Sequence, residues 1–116
     1  MTKFGNTRSG NFSSKLEAAV YDQLWPLEKA GEIKIECQDH VYLTEARIHY
    51  IAHFKITYTG TGVVEWAEAK GFSNDRWPTI KKLWKFYGPG RLIIWQGTYR
   101  KPVLTEVIIP RGWKNG

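Results

Sequence analysis

The stretch 46–70, ARIHYIAHFKITYTGTGVVEWAEAK, has the pattern of two strands joined by a tight turn. Residues 59–62 contain two glycines, which is typical of a hairpin turn. Side chains two apart on a strand share a face, so one face of strand 46–58 is predicted to carry Ile48, Tyr50, Ala52, Phe54 and Ile56. By the same rule, one face of the return strand 63–70 carries Val64, Trp66, Glu68 and Lys70.

A helix is predicted before this hairpin. Ser13 or Ser14 begins it, with Glu17 at the spacing of a capping box, and Gly31 ends it. Apolar residues recur at helical spacing, at Leu16, Val20, Leu24 and Leu27. Pro26 is expected to kink the last turn or to start a second one.

The remaining elements complete an α/β pattern. Alternation predicts a short strand over 32–38, and a second helix is predicted over 79–87, stopped by the Gly-Pro-Gly at 88–90. Strands are predicted over 91–95 and 104–109. The order is α-β-β-β-α-β-β, which predicts a mixed central sheet flanked by helices.

Length and charge limit the class of protein. The chain has 116 residues and a formal charge of +6, which predicts a single domain over 14–116 and favours nucleic acid over membrane as partner. Residues 1–13, with Lys3 and Arg8, are interpreted as a flexible basic arm or as a frayed terminus. No apolar run approaches the length of about 20 residues that spans a bilayer. With no signal-like apolar segment at residues 1–12, a cytosolic setting is predicted.

Cys37 is the single cysteine, which excludes an intrachain disulfide and a cysteine-based zinc site. We interpret it as a small strand residue.

Glu68 and Lys70 are the first candidates for chemistry. Their spacing on one strand face brings a carboxylate beside an ammonium, and the Ala69 carbonyl lies between them. Such a carboxylate can hold a divalent cation, and the ammonium can offset the charge that develops on a phosphate. Glu-x-Lys alone is weak evidence, because ion pairs of this kind are common on exposed strands.

The motifs together resemble the PD-(D/E)XK nuclease superfamily, and within it small phage-type endonucleases and Holliday junction resolvases. The matching segments are Ser14-Lys15-Leu16-Glu17-Ala18, then 27–33, Gln38, Tyr50-Ile51-Ala52-His53-Phe54 and Glu68-Ala69-Lys70-Gly71-Phe72. The resemblance covers roughly residues 12 to 90. It implies a restriction-endonuclease-like core.

The resemblance also implies a role for each motif residue. Glu17 and Glu68 would bind metal with the support of the Ala69 carbonyl, and Lys70 would orient water or stabilise charge on the phosphate. Gln38 would contact the attacking water or a carboxylate, or is simply a polar residue at a strand end. The cofactor implied is Mg²⁺ or Mn²⁺.

His53 stands where the superfamily usually has Asp. Three interpretations stay open. His53 is a metal ligand, which would favour Mn²⁺ because imidazole suits Mg²⁺ poorly. Alternatively, it acts on water or phosphate while Glu65 or Asp39 supplies the ligand. In the third, the site is weakly catalytic and the protein mainly binds DNA.

The function implied is a metal-dependent endonuclease that cuts branched DNA such as a four-way junction, as a homodimer, in the bacterial cytoplasm if phage-encoded. The alternative is a non-catalytic DNA-binding module with a nuclease fold. Trp77, Trp84 and Trp113 are candidates for the dimer face or for the core. The predicted DNA contacts are the arm with Arg8, and Lys15, His49, Arg76, Lys81, Lys82, Lys85, Arg100 and Lys101.

Overall fold

The computed structural model describes residues 14–44, 46, 48–70 and 76–112. The predicted arm with Arg8, the loop 71–75 and Trp113 lie outside them. The described elements are α1 (Lys15–Lys29), β1 (Ile33–Tyr42), β2 (His49–Tyr58), β3 (Val64–Ala69), α2 (Trp77–Tyr87), β4 (Leu92–Thr98) and β5 (Lys101–Ile108).

The five strands form one sheet in the order β1-β2-β3-β4-β5. Only β3 and β4 pair in parallel, and the other neighbours are antiparallel. The prediction of an α/β fold with a mixed sheet is therefore confirmed. The parallel pair arises because α2 lies between β3 and β4 in the chain, and parallel strands need such a crossover.

The first helix begins as predicted. The Ser14 hydroxyl accepts a hydrogen bond from the Glu17 backbone N–H at 3.0 Å, which is the N-cap contact. The helix runs through Pro26 to Lys29 without a break, so the predicted restart at Pro26 does not occur. Its inner face packs on β2, where the Tyr21 and Phe54 rings lie 6.1 Å apart.

Several boundaries differ from the prediction. The first strand continues to Tyr42 rather than stopping at 38, and the second begins at His49 rather than 46. Residues 39–42 of β1 pair with residues 49–52 of β2. This pairing with a distant segment extends β1, and the residues of β1 alone do not reveal it. The second helix begins at Trp77, since Pro78 is compatible with the first turn of a helix.

The sheet carries a core on each face. One core lies under α1 and includes Val20, Ile35, Phe54 and Ala67. The other lies under α2 and includes Ala52, Trp66 and Leu92. Trp77 and Trp84 belong to this second core at 5% and 0% exposure. Their core interpretation is therefore confirmed, and both are too buried to form a dimer face.

The side chains of β2 pack in one core along its first half and in the other core along its second half. Phe54 and Ile56 pack in the α1 core, but Ala52 and Tyr50 pack in the α2 core. The prediction that one face of β2 carries all of them is therefore wrong. The change coincides with Gln38 on β1, which has a φ of 56° and separates the paired residues of β1 on either side of it. A left-handed residue inside a strand interrupts the ladder and redirects the chain.

No helix among the described residues combines the length and the apolar character needed to cross a membrane. Cys37 lies half-buried on β1, as interpreted.

Candidate functional site

The site centres on Glu68, near the end of β3. Glu68 as a residue is 3% exposed, and donors surround its carboxylate. The His53 backbone N–H donates to Oε1 at 3.3 Å, and the Lys70 ammonium lies 3.7 Å from Oε2. The predicted convergence of Glu68 and Lys70 is thus present in the structure.

Lys70 is held from two sides. Its Nζ lies between the Glu68 carboxylate and the Trp77 ring, 5.0 Å from the ring centroid. Its backbone N–H donates to the Trp95 carbonyl at 2.8 Å, which fixes the start of the side chain. Electrostatic attraction from a carboxylate and from an aromatic face limits where the ammonium can lie. Contacts with β3, β4 and α2 therefore position the Lys70 side chain together.

His53 is fixed in a defined tautomer by its hydrogen bonds. The Ala69 backbone N–H donates to Nδ1 at 3.1 Å, so Nδ1 carries the lone pair and Nε2 carries the proton. That Nε2 lies 3.6 Å from Glu68 Oε2. In this arrangement His53 presents an N–H to the carboxylate, and neither ring nitrogen offers a lone pair to a metal ion.

Tyr50 completes the surroundings of Glu68. Its hydroxyl faces the carboxylate, although the contact falls short of hydrogen-bond geometry. Burial raises the pKa of Glu68, and His53, Tyr50 and Lys70 oppose that rise without cancelling it. Burial, with Glu68 nearby, raises the pKa of Tyr50 as well. The site is thus a buried carboxylate that is costly to ionise.

Glu17 and Gln38 form a second polar pair. The Gln38 amide donates to Glu17 Oε2 at 2.9 Å, and Glu17 is fully buried at the start of α1. Gln38 is the only described residue other than glycine with positive φ, and such backbone strain is often found at functional sites. The contact fits the prediction that Gln38 touches a carboxylate.

Of the implied metal ligands, Glu68 and the Ala69 carbonyl fit the structure, whereas His53 does not. Across the described ranges, no three His, Cys, Asp or Glu side chains are placed to hold a metal ion together. Mg²⁺, however, is commonly held by one or two carboxylates and keeps several waters. The Glu68 carboxylate, with the adjacent Ala69 carbonyl, has the oxygen chemistry that this ion prefers. His53, as it is bonded here, does not fit as a ligand.

Glu65 and Asp39 have structural partners. Glu65 is fully buried, accepts the Tyr58 hydroxyl at 2.7 Å and pairs with Arg91. Burial, together with the hydrogen bond to Glu65, raises the pKa of Tyr58 to about 12. Asp39 accepts the Trp66 indole N–H at 2.8 Å. These bonds account for both acids without a role as replacement ligands.

An open groove of about 460 Å³ lies beside Lys70, between the first half of β2 and the start of α2. We call it the α2 groove. His49, Tyr50, Lys70, Arg76 and Trp77 line it. Two of the predicted DNA contacts, His49 and Arg76, are therefore neighbours of the candidate site.

The other predicted DNA contacts are spread over the surface. Lys81 pairs with Glu106 at 2.9 Å, while Lys82 and Lys85 are exposed on α2. Lys15 lies over the Tyr99 ring. Arg100 lies over the same ring, and Lys101 is exposed at the start of β5. None of these five lysines or Arg100 lines the α2 groove.

The prediction from sequence missed two residues of the site, Tyr50 and Trp77. Tyr50 stands in the motif around His53, which was the one signal for it. Trp77 contacts Lys70 through the packing of α2 on the sheet, which no local pattern reveals.

No family model, curated protein or solved structure significantly matches this chain. The resemblance to the nuclease superfamily therefore rests on the motif residues themselves.

Glu68→Gln is expected to raise the thermal stability of the metal-free protein at pH 7. The pKa of Glu68 is raised by folding, so its contribution to stability is present below the ordinary carboxyl pKa and is lost as pH rises through the raised value. Gln does not ionise and escapes this loss. Thermal unfolding in EDTA at pH 7 and at acid pH measures the difference, which should vanish in acid.

The matched control is Glu36→Gln, on an exposed carboxylate that pairs with Lys34. Its stability should differ little from wild type at either pH. A Glu68→Gln protein less stable than wild type at pH 7 would mean that the donors around Glu68 outweigh the cost of burial.

Proposed function

We propose that this chain is an endonuclease that hydrolyses phosphodiester bonds in branched DNA, in the manner of Holliday junction resolvases, on a restriction-endonuclease-like core. The observation that carries the proposal is the position of Lys70. Its ammonium lies 3.7 Å from the buried Glu68 carboxylate and at the same time lines an open groove that also contains Arg76. A phosphate in this groove would meet both cations beside a buried acid.

Each residue of the site has a separate role in the proposed mechanism. Lys70 offsets the negative charge that grows on the phosphoryl oxygens as water attacks phosphorus. His53 holds Glu68 through its backbone N–H and faces it with Nε2. Gln38 holds Glu17 at the start of α1. As the resemblance implies, Glu68, the Ala69 carbonyl and Glu17 would hold a divalent cation, Mg²⁺ or Mn²⁺, which would supply Lewis acidity when bound.

The proposal includes a homodimer, because symmetrical cutting of a four-way junction needs two sites. It also includes action in the cytoplasm of a bacterial host, as for a phage-type enzyme. The charge of +6 supports a nucleic-acid partner, and binding is expected to weaken steeply with salt.

A second candidate function is binding of branched DNA without efficient cleavage. The specific observation in its favour is the hydrogen bond from Ala69 to His53 Nδ1, which leaves the motif position without a metal-binding lone pair. The retained Glu68 and Lys70 pair favours the enzyme, because a module that only binds phosphate gains nothing from a buried acid beside the cation.

Cleavage of a labelled four-way junction, compared with a linear duplex of the same sequence, tests the proposal. We expect paired cuts near the branch point of the junction in Mg²⁺ or Mn²⁺, and none in EDTA. Faster cleavage in Mn²⁺ than in Mg²⁺ would support His53 as a metal ligand, after rearrangement of its ring. Tight junction binding with no cleavage in either metal would replace the enzyme by the second candidate.

A further inference from the structure

The α2 groove follows an open strand edge. β3 pairs with β2 only over Phe54 to Thr57, whereas β1 pairs with residues 49–52. Within the described part of the chain, the first half of β2 is therefore paired on its β1 side alone. Its other edge borders the groove beside Lys70 and Arg76, and a strand edge presents backbone donors and acceptors.

The charge of this groove fits a phosphate backbone. Its described lining includes two permanent cations, Lys70 and Arg76, and no acidic side chain. A groove with one sign of charge concentrates ligands of the opposite sign. An extended anionic chain is the partner that this combination of open edge and cations favours.

One end of the groove leads to a group of exposed rings. His49 lines the groove and stacks on His40, with ring centroids 5.4 Å apart and planes inclined by 20°. The Tyr42 ring also lies 5.4 Å from the His49 ring, with the two planes inclined by 44°. All three are exposed, and they share one strand face because Tyr42 pairs with His49 and His40 lies two residues from Tyr42. We call these three residues the His49 cluster.

Exposed stacked rings beside a cationic groove are the combination that binds single-stranded nucleic acid. Cations track the phosphates, and each aromatic side chain offers a face to a base. A paired base cannot use such a face, because its own faces are covered in the duplex. A base at a branch point can leave the stack.

We propose that the α2 groove binds the DNA strand next to the phosphate at Lys70, and that the His49 cluster stacks an unpaired base of that strand. This inference rests on the proposed function and narrows the class of substrate. The substrate must carry, beside the cleaved bond, at least one nucleotide that is unpaired or can leave the base stack. His49 is thus assigned to base stacking rather than to the phosphate contact predicted from sequence.

Binding of two DNAs in EDTA at fixed salt tests the assignment. Both are duplexes with one unpaired nucleotide, which carries a base in the first and is abasic in the second. Base stacking contributes about 1–3 kcal/mol, so wild type should bind the first about tenfold more tightly by fluorescence anisotropy. 2-Aminopurine at the unpaired position should be quenched on binding.

The variant Tyr42→Ala/His49→Ala should bind both DNAs alike, near the affinity of wild type for the abasic one. The matched control, Phe86→Ala/Tyr87→Ala, removes two exposed aromatic side chains of α2 and should keep the tenfold preference. Circular dichroism establishes that each variant is folded, and His49→Ala alone replaces the double variant if that one unfolds.

Each outcome separates this inference from the proposed function. Equal binding of both DNAs by wild type, or a preference that survives in the double variant, overturns the inference and leaves the nuclease proposal in place. Absence of binding to both DNAs also overturns the inference, and the cleavage assay on the four-way junction then decides the nuclease proposal separately. A preference lost only in the double variant supports the inference whether or not the protein cuts DNA.

Discussion

Lys70→Ala is expected to lower the rate of junction cleavage by about 10²–10³-fold, the usual cost of losing one group that stabilises charge in the transition state. The ammonium lies between Glu68 and the Trp77 ring and lines the α2 groove, so no other described cation contacts that carboxylate from the same position. Single-turnover cleavage at saturating protein measures the chemical step without a contribution from weaker binding.

The fold should survive this substitution. The Lys70 side chain is 18% exposed, and its loss removes one of the contacts that oppose the raised pKa of Glu68. Lys34→Ala is the matched control, because Lys34 also pairs with a carboxylate, at 3.4 Å, but on an exposed part of β1. Full cleavage by Lys70→Ala would remove Lys70 from the mechanism, and an equal loss in Lys34→Ala would point to a general effect of charge.

His53→Asp is expected to make stability depend on Mg²⁺. In wild type, Nε2 of His53 lies 3.6 Å from the Glu68 carboxylate, which is 4% exposed. Asp would place a second negative charge there, and an uncompensated buried charge costs about 3 kcal/mol or more. Bound Mg²⁺ would neutralise both carboxylates, so the loss should be recovered by adding the ion.

Thermal unfolding with EDTA and with saturating Mg²⁺ measures this dependence. His53→Asn is the control, because it removes the imidazole without adding charge and should respond to Mg²⁺ much less than His53→Asp does. The ring nitrogens of His53 in wild type offer a second readout, since their ¹⁵N shifts distinguish a protonated Nε2 from a metal-bound nitrogen. A wild-type protein stabilised by Mg²⁺ as strongly as His53→Asp would contradict the assignment of His53 as a donor.

The same variant bears on the choice between enzyme and binding module. If His53→Asp also increases cleavage in Mg²⁺, the imidazole is what limits metal-dependent chemistry in this chain. The physical reason would be that the Nδ1 lone pair accepts the hydrogen bond from the Ala69 N–H and is not offered to a metal ion.

Local features of the chain were predictable because their causes are local. The cap at Ser14 follows from a hydroxyl three residues before Glu17. The common face of Glu68 and Lys70 follows from the period of a strand, and it brings their charged groups within 3.7 Å. Pairing across the turn at 59–62 follows from its glycines and from alternation on both sides.

Other features depended on partners distant in the chain. The switch of β2 between the two cores was missed, because it coincides with the left-handed Gln38 on β1. A motif also indicates that His53 matters but not which ring nitrogen carries its proton, since the Ala69 N–H makes that choice.

The sequence by itself determined the order of helices and strands, the mixed sheet and the pairing of Glu68 with Lys70, because periodicity, caps and turns act over a few residues. Only the tertiary structure decided what surrounds that pair. Trp77 reaches Lys70 across the packing of α2 on the sheet, and Tyr50 reaches Glu68 through the redirected half of β2. These contacts join residues far apart in the chain, so their geometry is set by packing of the whole domain and not by any local pattern.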